Sequence, residues 1–240
     1  MPKGNRRARG LAPKIARARA VPRGTTRAPP VASGMATLTH LPTAPFRFAR
    51  AVAKGVAERV RTAVAERTAA PVVVAVRKQG LTRLPVRALT DLHARVVEAE
   101  AENTPGVIAV VGDDWGGAAV VLADARSSAR EVRVYGVSDR DRVASALTTH
   151  GFPPEAARVT LLDGPPEAEG EDVAVAYVAT TEPEALRPSL DAVLGRLAVG
   201  GVAVVDAYDD ADGRSVVDAA CVGRSVRLVQ RARLNLVRDS

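Results

Sequence analysis

The stretch VIAVVGDDWGGAAVVLADA, residues 107–125, contains an apolar run, a polar turn rich in glycine, and an apolar segment with helical spacing. The apolar run stops at Gly112, and Gly116 and Gly117 open the helical segment. This order is typical of a buried strand that turns into a helix. The turn either binds a nucleotide-type cofactor or is an ordinary strand–helix junction. Its G-x-x-x-G-G spacing differs from the dinucleotide-binding pattern G-x-G-x-x-G, so the spacing alone leaves both interpretations open.

The chain around this stretch repeats the alternation of apolar runs and helical patterns. Apolar, β-branched runs separated by helices are typical of parallel strands that are buried on both faces. The tail at 224–239 has two alternating segments without a helix between them, which predicts an antiparallel pair at the sheet edge. The predicted fold class is therefore α/β, a Rossmann-like, doubly wound, mostly parallel sheet with an antiparallel C-terminal strand pair. We predict strands at 107–111, 131–137, 158–162, 172–178 and 201–208, and helices at 85–103, 115–127, 139–149, 184–198 and 212–221.

Individual residues define details of two predicted helices. The apolar face of the first helix includes Val97, which we expect to point inward. Thr181 and Glu184 have the spacing of a capping box, so they are expected to begin the fourth helix. Gly200 and Gly201 are expected to end that helix, because glycine is common just after a helix C-terminus.

The net charge of +7 divides unevenly along the 240 residues. Residues 1–90 hold 19 Lys and Arg against two acids, whereas the remainder holds 15 basic and 25 acidic residues. A basic leader therefore precedes an acidic domain, so the high isoelectric point does not indicate a nucleic-acid-binding fold. We divide the chain into a disordered basic leader (1–34), an amphipathic helical extension (35–78) and a main domain (79–240).

The sequence of the leader and the extension is compatible with several binding partners. The arginines of 1–34 could contact RNA or DNA phosphates nonspecifically, while a solvated tail or a translation start at Met35 are the simpler explanations. In 44–69 valine recurs every four residues with basic residues between, which predicts an amphipathic helix. Its apolar face consists of Ala and Val, whose small side chains would bind a membrane surface only weakly. We therefore expect this helix to pack on the main domain or on a second subunit, as in a homodimer.

The sequence argues against several classes of protein. The single cysteine, Cys221, excludes an intrachain disulfide framework and a cysteine-rich zinc site. Apolar runs stay below the roughly 18 residues that span a bilayer, and the leader lacks the apolar core of a secretory signal. We therefore expect a cytoplasmic location. A G-x-S-x-G nucleophile elbow and a phosphate loop ending in Gly-Lys-Ser/Thr are both absent from the sequence.

Two stretches, PGVIAVVGDDWGGAAVVLADA (105–125) and EALRPSLDAVLGRLAVGGVAVVDAYDDADGRSVVDAA (184–220), agree in order and spacing with motifs of one family. They resemble the macrocin-type (antibiotic-sugar) O-methyltransferases, a class I group that depends on S-adenosylmethionine (SAM). The resemblance covers about residues 80–225. It implies the class I methyltransferase fold, SAM as cofactor, and methyl transfer to a hydroxyl of a small molecule such as a sugar or another natural product. The acceptor itself leaves no recognisable signature.

The resemblance implies that cofactor-binding residues lie in the glycine turn and at the following strand ends. Two acids of the family pattern are missing, because Val110 stands two residues before the motif glycine and Gly136 stands where an acid grips the ribose hydroxyls of SAM. Ser138 and Asp139 lie nearby and could replace the second acid. Losing a carboxylate that accepts two hydrogen bonds weakens binding by about 10²–10⁴-fold. The predicted cofactor-binding residues are Gly112, Asp113, Trp115, Gly116, Gly117, Ser138, Asp139 and Asp163.

The family's metal site is incomplete in this sequence. Members typically hold Mg²⁺ with an Asp after the fourth strand and an Asp-Asp after the fifth. The first position falls at 179–181, which contains no carboxylate, and the second retains only Asp206. Mg²⁺ requires near-octahedral oxygen ligation, so Asp206 alone is a weak metal ligand. Asp209 and Asp210 follow immediately and could supply a further ligand. Asp206 and Asp209 are the candidate catalytic residues, and a solvated loop that caps the next helix is the alternative for Asp209, Asp210 and Asp212.

Three functions remain open from the sequence. The first is a SAM-dependent methyltransferase in which Asp113, Asp114 or Asp139 replaces the lost cofactor contacts and which works without the family's metal. The second is a catalytically degenerate methyltransferase-fold protein that acts as a binding or scaffold partner, because several site positions are neutral while the fold positions are intact. The third is a different nucleotide-binding, Rossmann-like protein.

Overall fold

The computed structural model describes residues 68–112, 114–127, 129–154, 156–167, 169–231 and 233–239. The predicted leader 1–34, nearly all of the predicted helix 44–69, and Asp113 lie outside the described residues. The homodimer through that helix, the nonspecific nucleic-acid contacts of the leader and the domain division therefore stay predictions. In the described part of the chain, every helix is too short or too polar to cross a membrane.

A seven-stranded sheet with strand order β3-β2-β1-β4-β5-β7-β6 forms the centre of the described fold. The strands from β1 to β5 pair in parallel, whereas β7 is antiparallel to both β5 and β6. This arrangement confirms the predicted mostly parallel α/β sheet with an antiparallel C-terminal pair. The strands are β1 (Val107–Val111), β2 (Val132–Tyr135), β3 (Val159–Leu162), β4 (Val173–Val178), β5 (Leu197–Val205), β6 (Val226–Gln230) and β7 (Leu234–Arg238).

Helices cover both faces of the sheet and divide the core into two clusters. Successive strand side chains point to opposite faces, so Ile108 and Val110 of β1 join one cluster while Val107, Ala109 and Val111 join the other. The first cluster contains residues of α1 to α4, and the second contains residues of α5 and α6. These helices are α1 (Pro71–Lys78), α2 (Val86–Ala101), α3 (Gly117–Ala125), α4 (Arg140–Thr149), α5 (Pro183–Arg196) and α6 (Ala211–Cys221).

The first two helices bury apolar side chains in the core, and one orientation predicted for α2 is wrong. The apolar run at 71–76 belongs to α1, and its Val73 and Val76 are fully buried. The predicted inward orientation of Val97 is wrong, because this side chain of α2 is 48% exposed. Leu92 and Val96 form part of the buried face of α2 instead. One residue along a helix rotates the side chain by about 100°, so Val97 falls outside a face centred on its neighbour.

The predicted capping box at the start of α5 does not form. The helix begins at Pro183, its N-cap is Glu182, and the Glu182 side chain accepts no capping hydrogen bond. Thr181 and Glu184 therefore have no capping role. Proline suits the first helical position because its missing N–H has no partner there in any helix.

The predicted end of α5 at Gly200 and Gly201 is also wrong. The helix stops at Arg196, and both glycines lie inside β5. Strand pairing explains the early stop, because Leu197 already pairs with Val173 of β4. The fully buried Leu197 side chain adds to the apolar core from this strand position.

Candidate functional site

The carboxyl ends of β1 to β4 surround a hollow of about 430 Å³. Ligands of open α/β sheets bind at this edge, and the volume lies in the usual range for small-molecule pockets. We call it the strand-end hollow. Its lining includes Gly112, Gly136, Gly164, Pro165, Ala179, Thr180, Thr181, Glu182, Ala185 and Ser189.

Gly112, which was predicted to bind the cofactor, lines the strand-end hollow. It follows β1, and its N–H donates to the carbonyl oxygen of Tyr135 at 3.0 Å. A Cβ on Gly112 would lie 2.5 Å from Oγ1 of Thr180, the second residue after β4. The ends of β1 and β4 therefore meet at the wall of the hollow.

Gly136 leaves the hollow without the carboxylate that the family resemblance implies at the end of β2. It lines the hollow, whereas Ser138 and Asp139 do not. Asp139 is instead the N-cap of α4, where its carboxylate accepts a hydrogen bond from the N–H of Arg142 at 3.0 Å. Asp163, the predicted residue after β3, is exposed outside the hollow, 3.2 Å from a guanidinium nitrogen of Arg140.

The strand-end hollow contains little charge. Among the described residues that line it, Glu182 alone is charged. The hydroxyl of Ser189, whose side chain is almost fully buried, donates to the carbonyl oxygen of Ala185 at 2.8 Å. Such a lining suits an uncharged or cationic ligand better than one that carries several phosphates, because phosphates need cationic or N–H donors.

A second cavity of about 220 Å³ lies next to the hollow. We call it the side cavity. Ala179 and Thr181, which follow β4, line both spaces. The full lining of the side cavity is Arg83, Leu84, Asp114, Trp115, Tyr177, Ala179, Thr181 and Asp206.

The N-terminus of α3 is capped by the protein itself. The carboxylate of Asp114 accepts hydrogen bonds from the hydroxyl of Thr82 at 2.6 Å and from the N–H of Ala118 at 2.7 Å. The N–H of Gly117 donates to the carbonyl oxygens of Leu81 and Asp114, both at 3.0 Å. These N–H groups are therefore not directed at a bound phosphate, although helix N-termini commonly bind anions.

Gly116 and Gly117, both predicted to bind the cofactor, line neither of the two cavities. A Cβ on Gly117 would lie 2.6 Å from the carbonyl oxygen of Leu81, and one on Gly116 would lie 3.1 Å from Cβ of Ala146. The structure thus gives both glycines a packing reason. The absence of side chains at these two positions allows α3 to approach the segment before α2 and the neighbouring helix α4.

Trp115, the third predicted residue of the turn, lines the side cavity. The guanidinium carbons of Arg83 and Arg142 lie 4.5 Å and 4.6 Å from the centre of its ring. Trp115 has a φ of 48°, a left-handed conformation that is unusual for a bulky residue. Strained backbone of this kind concentrates at functional sites.

Asp206, predicted as a catalytic and metal-binding residue, follows β5 and lines the side cavity. Its carboxylate accepts a hydrogen bond from Nε of Arg233, the residue just before β7. Another nitrogen of Arg233 lies 3.3 Å from the carboxylate of Asp209. One guanidinium thus contacts both predicted catalytic acids, but Asp209 does not line the side cavity and its side chain is 71% exposed.

The described residues do not fit the Mg²⁺ site that the resemblance implies. The guanidinium of Arg233 lies against Asp206, the one strand-end acid that the family pattern retains. Within the described ranges, no group of three His, Cys, Asp or Glu side chains is arranged to hold a metal ion. Asp210 is the N-cap of α6 and accepts from two of its N–H groups, which confirms the capping interpretation for this acid.

Tyr177 is a site residue that the sequence analysis missed. It lies on β4, is almost fully buried and lines the side cavity. Burial, together with the charges of Asp114 and Asp206, raises the pKa of its phenol far above the usual range. Tyr177 therefore stays protonated and offers a hydrogen-bond donor. The available signal was one aromatic residue in an otherwise small-residue strand, VAVAYV.

No known family model and no curated protein sequence matches this chain. Solved structures do match it. The O-methyltransferase NovP has a TM-score of 0.57 at 18% identity, covering 67% of this chain and 83% of that one. The SAH-bound methyltransferase PaMTH1 from Podospora anserina has a TM-score of 0.57 at 16% identity, covering 78% and 96%. The O-methyltransferase TomG from Streptomyces achromogenes, involved in tomaymycin synthesis and solved with SAM, has a TM-score of 0.52 at 15% identity, covering 70% and 90%.

The chain has the class I methyltransferase fold. At identities below 20% these matches establish the architecture and leave the activity and the acceptor to be argued from the site.

Proposed function

We propose that this protein binds SAM in the strand-end hollow and transfers its methyl group to a hydroxyl of a small molecule in the side cavity. The observation that carries the proposal is that the two spaces adjoin, since Ala179 and Thr181 line both. Methyl transfer requires donor and acceptor to meet at one point, and two neighbouring cavities at the same strand ends allow this.

The charge distribution supports SAM over a phosphate-bearing cofactor. The hollow contains no Lys or Arg among its described lining residues, and Glu182 is its one charge. Asp114 already caps the neighbouring helix N-terminus with its own carboxylate, so that N–H is not available to a cofactor phosphate. SAM carries a positively charged sulfonium and no phosphate, so it matches this environment. TomG was solved with SAM and PaMTH1 with SAH, which also supports this choice.

Small residues make room for the adenosyl part of SAM, while the missing acid weakens its binding. Gly136, the first residue after β2, and Gly164, the second after β3, line the hollow without side chains. A carboxylate at the position of Gly136 would accept hydrogen bonds from ribose hydroxyls, as the resemblance implies. Without it we expect an affinity in the range of about 10 µM to 1 mM.

Asp206 is the proposed general base. When bound, SAM supplies a methyl group on a sulfonium, which leaves as a neutral thioether as the new O–CH₃ bond forms. The acceptor hydroxyl must lose its proton in this step, and Asp206 is a carboxylate in the side cavity that can take it. Arg233 orients that carboxylate. The protonated phenol of Tyr177 can donate a hydrogen bond to an oxygen of the methyl-accepting molecule. This route uses no metal ion.

A catalytically degenerate binding protein is the second candidate function. It is favoured by Gly136, which removes the ribose-binding acid, and by the ion pair of Asp206 with Arg233 at the family's metal position. Under this alternative, the side cavity or another surface would hold a partner without chemistry. The two candidates differ in whether S-adenosylhomocysteine (SAH) forms.

Calorimetric titration of the full chain with SAM, SAH and NAD tests the proposal. We expect SAM and SAH to bind in the range given above and NAD to give no heat. Incubation with SAM and a panel of hydroxyl compounds should then release SAH. No heat with SAM at about 5 mM would contradict the proposed cofactor, given the expected affinity. SAM binding without SAH release across the panel would favour the degenerate protein.

A further inference from the structure

We propose that the acceptor carries an oxyanion, a carboxylate or a phosphate, and that Arg83 binds this group at the wall of the side cavity. The inference rests on the methyl transfer proposed above and adds the class of acceptor and the residue that selects it.

Arg83 is the basic residue in the described lining of the side cavity. It lies over the Trp115 ring and has no carboxylate partner among the described residues. The two acids of the same lining are already engaged. Asp114 accepts hydrogen bonds from Thr82 and the N–H of Ala118, and Asp206 accepts one from Arg233. An anionic group entering the cavity would therefore find Arg83 as its counter-ion.

Trp115 orients the guanidinium of Arg83. The guanidinium carbon lies 4.5 Å from the ring centre, and Arg142 lies 4.6 Å from the same ring. A guanidinium held over an aromatic ring by cation–π attraction keeps N–H donors for another group. Those donors form a fork that matches the two oxygens of a carboxylate or a phosphate.

The backbone that carries Arg83 is fixed on both sides. Thr82 and Leu84 are 1% and 2% exposed. The hydroxyl of Thr82 accepts from the N–H of Leu84 at 3.0 Å and donates to Asp114 at 2.6 Å. Arg83 thus projects from a segment that is already ordered, so binding an anion loses less conformational entropy than it would on a free loop.

Two matched pairs of probes test the inference in the full chain. Each pair contains a carboxylate and its uncharged amide, namely 4-hydroxybenzoate with 4-hydroxybenzamide and glucuronate with glucuronamide. Affinities are measured by calorimetry in the absence of SAM. The fluorescence of Trp115, the single tryptophan of the chain, reports whether the probe binds at this wall.

We expect at least one carboxylate to bind about tenfold or more tightly than its amide and to change the Trp115 fluorescence. Arg83→Gln should reduce this ratio to about one, and Arg83→Lys should retain part of it because lysine keeps the charge but not the fork. Arg140→Gln is the matched control, since it removes one exposed positive charge that lies outside the side cavity and pairs with Asp163. This variant should have the same ratio of carboxylate affinity to amide affinity as the natural protein.

Three results would overturn the inference: equal binding of acids and amides, a ratio that survives Arg83→Gln, or no binding of either carboxylate at about 10 mM. Thermal melting of each variant verifies that the chain is folded. The SAM titration is independent of these probes. A protein that holds SAM but does not discriminate contradicts the oxyanion site alone, and one that discriminates without holding SAM contradicts the proposed function.

Discussion

Gly136 and Gly164 are neighbours in the lining of the strand-end hollow, and apart from the adjoining residues the nearest atom to a Cβ on Gly136 would be the carbonyl oxygen of Gly164, at 3.6 Å. The position where the resemblance implies a ribose-binding acid therefore has space for one. Gly136 has a φ of 65°, a conformation that Asp and Asn tolerate better than other residues with a side chain.

Gly136→Asp should strengthen SAM binding by about 10- to 100-fold, because a carboxylate accepts charge-assisted hydrogen bonds from the ribose hydroxyls. Calorimetry measures the change. Gly136→Asn is the matched control with the same shape and no charge, and it should give less than about a third of the gain in binding free energy. Equal affinities for Gly136→Asp and the natural protein would show that SAM does not place its ribose at the end of β2.

Gly117→Ala should destabilise the fold by about 2–4 kcal/mol, because its Cβ would lie 2.6 Å from a backbone carbonyl oxygen. Gly195→Ala, on the helix α5, is the control. No atom lies within 4 Å of its Cβ position, so it should stabilise by about 0.5–1 kcal/mol through helix propensity. Urea unfolding of both variants gives the difference, and an unchanged midpoint for Gly117→Ala would refute the packing role of this glycine.

Asp206→Asn should lower the rate of SAH release by at least about 100-fold, because the acceptor hydroxyl loses its base. The Kd for SAM should not change, since Asp206 does not line the strand-end hollow. Asp209→Asn should have a much smaller effect because Asp209 lies outside the side cavity. Addition of EDTA should leave the rate unaltered, and a rate that depends on Mg²⁺ would contradict the metal-free route.

The stability of the protein should fall in acid partly through Glu131. Hydrogen bonds from Arg133 and then Thr160, against an opposing effect of burial, hold the pKa of this carboxyl below its usual value. A group with a lowered folded-state pKa stabilises the fold above its unfolded pKa of about 4.3 and loses that contribution as the pH falls through the folded pKa. Unfolding by urea at several pH values below 5 should therefore show a flatter dependence for Glu131→Gln. Glu169→Gln, at an exposed position, should retain the dependence of the natural protein.

The sheet could be predicted because its signals are local. The run at 107–111 coincides with β1, and the glycine and acid pattern after it marks a strand end. One failed prediction concerns Val97 inside α2, and the others concern residues at the borders of α5, where tertiary contacts decide. Leu197 begins β5 by pairing with β4, and the apolar periodicity of the preceding helix does not predict this strand start.

The candidate site was predicted only in part, because its contacts join segments far apart in sequence. Thr82 and Asp114 are 32 residues apart, and Arg233 and Asp206 are 27 apart. A sequence motif can mark Asp114 or Asp206 as an acid at a strand end. It cannot show that one caps a helix or that the other is held by an arginine from the C-terminal strand pair.

The SAM affinity of Ala185→Trp tests the central claim most directly. Ala185 is exposed on α5 and lines the strand-end hollow, so an indole there fills the proposed SAM site without entering the core. Glu184→Trp is the matched control, because it adds the same side chain to the neighbouring position outside the lining. Calorimetry should show SAM binding weakened by at least about tenfold in Ala185→Trp and changed by less than about twofold in Glu184→Trp. Undiminished SAM affinity in Ala185→Trp would contradict the assignment of the hollow.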